Sequence, residues 1–179
     1  MRKIMMIMIS VLAVSGCLDR QISEVIRKFK SSTITFTDDI FIIKERNVYQ
    51  YEDHRDKYIM VMLHDSTACS LCHLSHLNDY LHFYEEADST GLFEIMMLFS
   101  PRDEDYANVM EQIEMLNFPY PLYLDFGGSF MESNPDIPAD PRFRCFLLDR
   151  DRRPVYVGNP CASEELMSVF KKTLESIEK

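Results

Sequence analysis

The sequence has no tryptophan, only 5 glycines and 8 prolines, fewer basic than acidic side chains, and no apolar run long enough to cross a bilayer. Each shortage excludes something. Sparse glycine and proline, beside 46% apolar and 27% charged residues, rule out fibrous and disordered classes and leave a globular chain. With 19 Lys and Arg against 29 Asp and Glu the net charge is −10, so the surface repels nucleic acid and anionic membrane as bulk partners. The 5 cysteines are too few to staple a miniprotein, and the 179 residues fit one domain with its own core.

The N-terminus is organised as an export address. Arg2 and Lys3 precede an apolar run from Ile4 to Val14, and small residues follow before Cys17. A run of about 11 residues is short of the roughly 20 that a membrane-spanning helix needs. Positive end, apolar middle and small-residue close are the layout of a signal peptide. Ala13-Val14-Ser15-Gly16-Cys17 resembles the lipobox of bacterial lipoproteins. The resemblance implies a signal peptide over residues 1–16 and an acylated Cys17 in the cell envelope. Cleavage there removes two positive charges and no negative one, so the acyl chains must anchor an acidic domain. Residues 17–32 are expected to be a tether, with Ile22, Ile26 and Phe29 at weak helical spacing, and residues 33–179 the domain.

Strands and helices then alternate. Thr33 to Thr37 alternates polar and apolar residues and predicts a strand; Ile40 to Lys44 predicts a second. Tyr58 to Leu63 is an unbroken apolar run, as in a central strand covered on both faces. Leu74, Leu77, Leu81 and Tyr84 follow at helical spacing up to Gly91, then a strand from Leu92 to Phe99. Ser100-Pro101-Arg102-Asp103 predicts a capped helix start, with Val109 and Ile113 on its inner stripe. Pro121 to Phe126 is a short strand. Cys145 to Leu148 and Val155 to Val157, joined by the charged turn Asp149 to Arg153, predict a hairpin, and Ser163-Glu164-Glu165 opens a final helix. The pattern is that of a three-layer α/β domain with a mixed sheet.

Cys69-Ser-Leu-Cys72 carries the chemistry. The pair follows a buried strand and opens an amphipathic helix, where free backbone N–H groups and the helix dipole stabilise a thiolate. Two intervening residues put the second thiol one turn away. Cys69 is then the exposed nucleophile and Cys72 the resolving thiol. Strand, turn, Cys-x-x-Cys and helix, followed by Phe146-Leu-Leu-Asp149 through Val155-Tyr-Val-Gly158-Asn-Pro160, resemble the thioredoxin-like fold. They are similar in particular to the redoxin and peroxiredoxin-like lipoproteins of bacterial envelopes, over residues 33–177. The resemblance implies a lipid-anchored thiol–disulfide oxidoreductase with its domain in the periplasm. Exported thiol or disulfide proteins, or a membrane electron donor, would be its partners, and no cofactor or metal is implied.

Two departures from that pattern stand out. The position of the family's cis-proline falls near Phe143, with Pro138 and Pro141 earlier. No aromatic residue precedes Cys69 in Ser66-Thr67-Ala68.

Other readings of the same residues stay open. Cys69-Ser-Leu-Cys72-His73 also matches the c-type haem attachment pattern. Zinc held by Cys69, Cys72 and His73 or His76 is a further option. A static disulfide in a non-catalytic binding lipoprotein is another. His64 and Asp65 can tune the thiols or serve as turn formers. Cys145, within an apolar strand, fits a buried inert residue, and Cys161 is an extra thiol or a partner for Cys145.

Overall fold

The apolar run at residues 58–64 becomes the middle of a seven-stranded sheet. A computed structural model describes residues 20–64 and 70–177, with residues 70–72 described by their backbone alone. The strands are β1 (Ile40–Lys44), β2 (Asn47–Gln50), β3 (Tyr58–His64), β4 (Phe93–Phe99), β5 (Leu122–Asp125), β6 (Cys145–Leu148) and β7 (Pro154–Val157). Their spatial order is β2-β1-β5-β4-β3-β6-β7. β3, β4 and β5 run parallel, whereas β6 pairs antiparallel with β3 and with β7, and β1 pairs antiparallel with β5 and with β2. The sheet is mixed, as the pattern of elements predicts.

Both faces of β3 are covered, which explains its lack of polar alternation. Met60 and Met62 face a layer built from α2 (Ser70–Ser75), α3 (Leu81–Thr90), α4 (Tyr106–Leu116) and α6 (Glu164–Ile177), among Leu74, Phe83, Val109 and Phe170. Ile59, Val61 and Leu63 face the other layer, among Phe29, Phe130, Ile137 and Phe146. Phe130 comes from the short helix α5 (Ser129–Ser133). Each such side chain taken fully out of water contributes about 1.5–3 kcal/mol. α3 stops at Gly91, whose φ of 65° suits a residue without Cβ and whose N–H reaches the Ala87 carbonyl at 2.9 Å.

Several local expectations give way to tertiary contacts. Residues 20–30 form a helix, α1, in keeping with the helical spacing of Ile22, Ile26 and Phe29. Its Phe29 is fully buried, edge-on to Phe146 with ring centroids 5.0 Å apart, so this segment belongs to the domain. Thr33 to Thr37 alternates as expected but is not a strand. Its backbone is satisfied elsewhere: Thr35 N–H donates to Asn134 Oδ1 at 2.8 Å and Ile34 N–H to the Arg152 carbonyl at 2.8 Å. The edge strand β2, exposed along its whole length, has no apolar periodicity to announce it. The single helix expected after Cys69 is three pieces, α2, a 3₁₀ helix at Leu77–Tyr80, and α3.

Ser100 does not cap a helix. Helical structure begins with the 3₁₀ turn Asp103–Asp105, and the Ser100 hydroxyl donates instead to the buried carboxylate of Asp125 at 2.9 Å. Ser163 does behave as a cap, its Oγ accepting the Leu166 N–H at 3.2 Å. Among the described residues no helix is long and apolar enough to cross a membrane.

Candidate active site

Parallel strands deliver functional groups at their carboxyl ends. Here β3 ends at His64, β4 at Phe99 and β5 at Asp125, side by side. β6 enters the same edge from the opposite direction, and the Arg144 carbonyl just before it accepts the Leu63 N–H at 3.0 Å. The Ser100 N–H in turn donates to the His64 carbonyl at 2.8 Å. β3 ends at His64 and α2 begins at Ser70, so Ser70, Leu71 and Cys72 of the Cys69-Ser-Leu-Cys72 segment lie in the first turn of α2.

Imidazoles floor this corner. His64 is buried at 8% exposure and stacks on Phe99 with ring centroids 5.1 Å apart. His73, the residue after Cys72, lies over His64 with centroids 4.1 Å apart and planes tilted by 35°. Burial, together with the neighbouring His76, lowers the His73 pKa below its ordinary value, so the neutral ring is favoured. His76 turns the other way, its Nδ1 lying 3.2 Å from Asp79 at an exposed position. The two histidines of the zinc option thus engage different partners. The His73 ring that a haem-attachment reading needs as a ligand is half-buried against His64.

Beside the histidines sits a buried acid. Asp125 is 1% exposed; its carboxylate accepts from Ser100 Oγ (2.9 Å), from Ser129 Oγ (3.0 Å) and from Phe130 N–H (3.2 Å to Oδ2). Burial pushes its pKa up, against the lowering pull of those same hydrogen bonds. Asp125→Ala takes the acceptor from two buried donors, Ser100 Oγ and Phe130 N–H, while Ser129 Oγ keeps Thr37 Oγ1 at 2.8 Å, and is expected to cost about 2–4 kcal/mol. Asp125→Asn keeps an acceptor oxygen and should cost less than half as much. Urea unfolding of the two variants checks this, and equal losses would refute the hydrogen-bonding account.

Of the residues singled out in the sequence, Cys17, Asp65 and Cys69 lie outside the described residues. Cys72 falls within α2, described by its backbone. Cys145 and Cys161 are free thiols on the face covered by α3 and α6. At the position expected for a cis-proline the chain carries Phe143, in a 3₁₀ turn Pro141–Phe143 whose start is capped by the Asp140 side chain accepting the Arg142 N–H. No cis peptide occurs among the described residues. Arg144, only 7% exposed beside this turn, donates from Nη2 to the Ala139 carbonyl at 3.0 Å. Sequence reading passed over Arg144 and Asp125, because a lone charge at a strand end looks like any solvated turn residue.

The architecture defines the class: this is a thioredoxin-like fold. No protein-family profile and no curated protein matches the sequence. Solved structures do match in shape. The exposed lipoprotein thioredoxin Etrx1 of Streptococcus pneumoniae superposes with a TM-score of 0.50 at 18% identity, covering 76% of this chain and 98% of that one. A putative thiol:disulfide interchange protein DsbE from Chlorobium tepidum gives 0.53 at 14% identity, covering 80% and 98%. The thioredoxin domain of a thiol-disulfide oxidoreductase from Bacteroides vulgatus gives 0.50 at 19%, covering 80% and 99%. Identities this low establish the fold, and the chemistry has to be argued from this chain's own residues.

Proposed function

We propose that this protein is an envelope thiol–disulfide oxidoreductase, tethered through lipid on Cys17, in which Cys69 attacks and Cys72 resolves. The observation that carries the reading is the position of the Cys69-Ser-Leu-Cys72 segment. In sequence it follows β3, which ends at His64 in the middle of a thioredoxin-like sheet, and its last three residues, Ser70 to Cys72, open α2. Residue 69 immediately precedes α2 in sequence, and free N–H groups at a helix start favour a thiolate on the residue before it. An export-type N-terminus and the names of two neighbours, an exposed lipoprotein thioredoxin and a thiol:disulfide interchange protein, support an envelope location.

In the reducing direction the Cys69 thiolate attacks one sulfur of a substrate disulfide, and the other substrate sulfur leaves and takes up a proton. Cys72 then attacks the Cys69 sulfur of the mixed disulfide and releases the second substrate thiol. Two electrons and two protons pass to the substrate, and the protein is left with a Cys69–Cys72 disulfide. The oxidising direction is the reverse.

The test is the reduction potential of the Cys69–Cys72 couple, measured by alkylation after equilibration in glutathione buffers. A catalytic pair is expected between about −120 and −270 mV, the span of known exchange proteins. A disulfide that stays closed below about −300 mV would mark a structural staple and overturn the catalytic reading.

A further inference from the structure

Two thiols outside that site pack against the same core layer on one face of the sheet. Cys145 opens β6, and its carbonyl accepts a 2.7 Å hydrogen bond from Gly158 N–H, one step past the Phe146–Val157 pair. Three residues further, the chain turns through a 3₁₀ helix at Pro160–Ala162, fixed by Pro160 at its start and by Asn159 Oδ1 accepting the Cys161 N–H at 2.9 Å. Strand alternation puts Cys145 on the same face as Leu147, and Cys145 and Cys161 pack against the same core cluster there. Both sulfurs also lie near enough to Tyr80 and Tyr156 to perturb the two phenols. Cys161, with Pro160, Glu164, Met167 and Lys171, lines a surface groove of about 780 Å³. Both thiols are half-buried, and Cys161 borders this groove.

We propose that Cys145 and Cys161 are a second dithiol, which closes to a disulfide by exchange with a small disulfide compound that meets Cys161 first. The Cys161 thiolate attacks one sulfur of that compound and expels the other as a thiol. The Cys145 thiolate then attacks the Cys161 sulfur and expels the remaining half. Two thiols are oxidised, one external disulfide is reduced to two thiols, and the protons of Cys145 and Cys161 end on the released thiols. The closed bond ties the first residue of β6 to the turn entering α6, next to the Arg144 carbonyl that holds the end of β3. This inference goes beyond the proposed Cys69–Cys72 chemistry and does not depend on it.

Burial pushes the Cys161 thiol up to about 11, and burial with the neighbouring Cys161 pushes Cys145 up to about 12. Thiolate is scarce at neutral pH, so closure is slow and gains about tenfold in rate per pH unit below that range.

The full-length chain carrying Cys17→Ser, Cys69→Ser and Cys72→Ser keeps these two cysteines and no other. Incubated with oxidised glutathione, it is expected to lose about 2 Da as a monomer, with no glutathione retained, and to do so about tenfold faster at pH 8.5 than at 7.5. Adding Cys161→Ser should abolish the loss. Two thiols that remain open to alkylation after denaturation at every glutathione ratio overturn the pairing. So does a stable Cys161–glutathione adduct, or a disulfide-linked dimer. Should the triple variant not fold, tryptic mapping of the oxidised wild-type chain decides the same point, since a Cys145–Cys161 crosslinked peptide is either present or absent. The triple variant lacks the Cys69–Cys72 couple, so failure here leaves that reading untouched.

Discussion

Cys69→Ser is expected to lower the rate of insulin-disulfide reduction by more than about 10³-fold, because it removes the atom that forms the mixed disulfide. Cys72→Ser should behave differently. The first attack remains possible, but nothing expels the bound half, so a covalent adduct on Cys69 accumulates and turnover stops after one event. Intact-mass analysis distinguishes the two: an adduct on Cys72→Ser that dithiothreitol releases, and none on Cys69→Ser. Equal residual turnover in both variants would mean that exchange takes place elsewhere in the chain. The prediction is asymmetric because the proposed function gives the two sulfurs different roles. Residue 69 precedes the helix, whereas Cys72 lies within α2 one turn on.

The largest effect on stability is expected at Arg152. Its side chain is 1% exposed although it sits in a hairpin turn, at a φ of 62°. The guanidinium donates from Nε to both Asp53 oxygens (2.9 and 3.1 Å), from Nη1 to the Lys57 and Asp149 carbonyls (3.0 and 3.1 Å), and from Nη2 to Asp53. It clamps the segment before β3 onto the β6–β7 turn, and its own carbonyl accepts the Ile34 N–H. Asp53→Ala leaves the buried cation with the Lys57 and Asp149 carbonyls alone, while Arg152→Ala leaves Asp53 to Arg55 and takes the donor from those two carbonyls. Each should cost about 3–5 kcal/mol, or roughly 10 °C in Tm. Arg152→Lys should rescue little, since a point charge cannot reproduce the fork.

The pair also predicts acid sensitivity. Burial alone would raise the Asp53 pKa, but the hydrogen bonds and charge of Arg152 outweigh it and hold the carboxyl below its ordinary range. A carboxylate with a lowered folded-state pKa contributes stability above its unfolded pKa of about 3.9, and that contribution is lost as pH falls through the folded value. Wild type should therefore lose stability more steeply than Asp53→Asn below about pH 4. Parallel slopes in urea titrations would refute the coupling.

Legibility from sequence followed burial. β3 and β4 could be read because each is a short apolar run bounded by turn residues, and β6 and β7 because a charged turn joins two short apolar segments. The helix after Cys69 was legible as helical spacing but not as three pieces, since the break at His76 has neither glycine nor proline to mark it. Ser100 shows the converse. It has every local mark of an N-cap, yet its hydroxyl is drawn to Asp125, a residue 25 positions away that no local pattern connects to it. Arg152 sits among Arg150 and Arg153 in one charged turn, and nothing in that turn tells the buried guanidinium from the two beside it.

The runs that became β3, β4, β6 and β7 and the helical spacing from Leu74 to Tyr84 were set by local composition and spacing. Those quantities survive in a one-dimensional string. Tertiary structure alone decided that α1 docks through Phe29, that His73 rests on His64, that Asp125 gathers three donors, and that Cys145 and Cys161 share a face. Each of these depends on contacts between segments far apart in the chain, and such contacts exist only once the sheet has fixed which strand ends lie side by side.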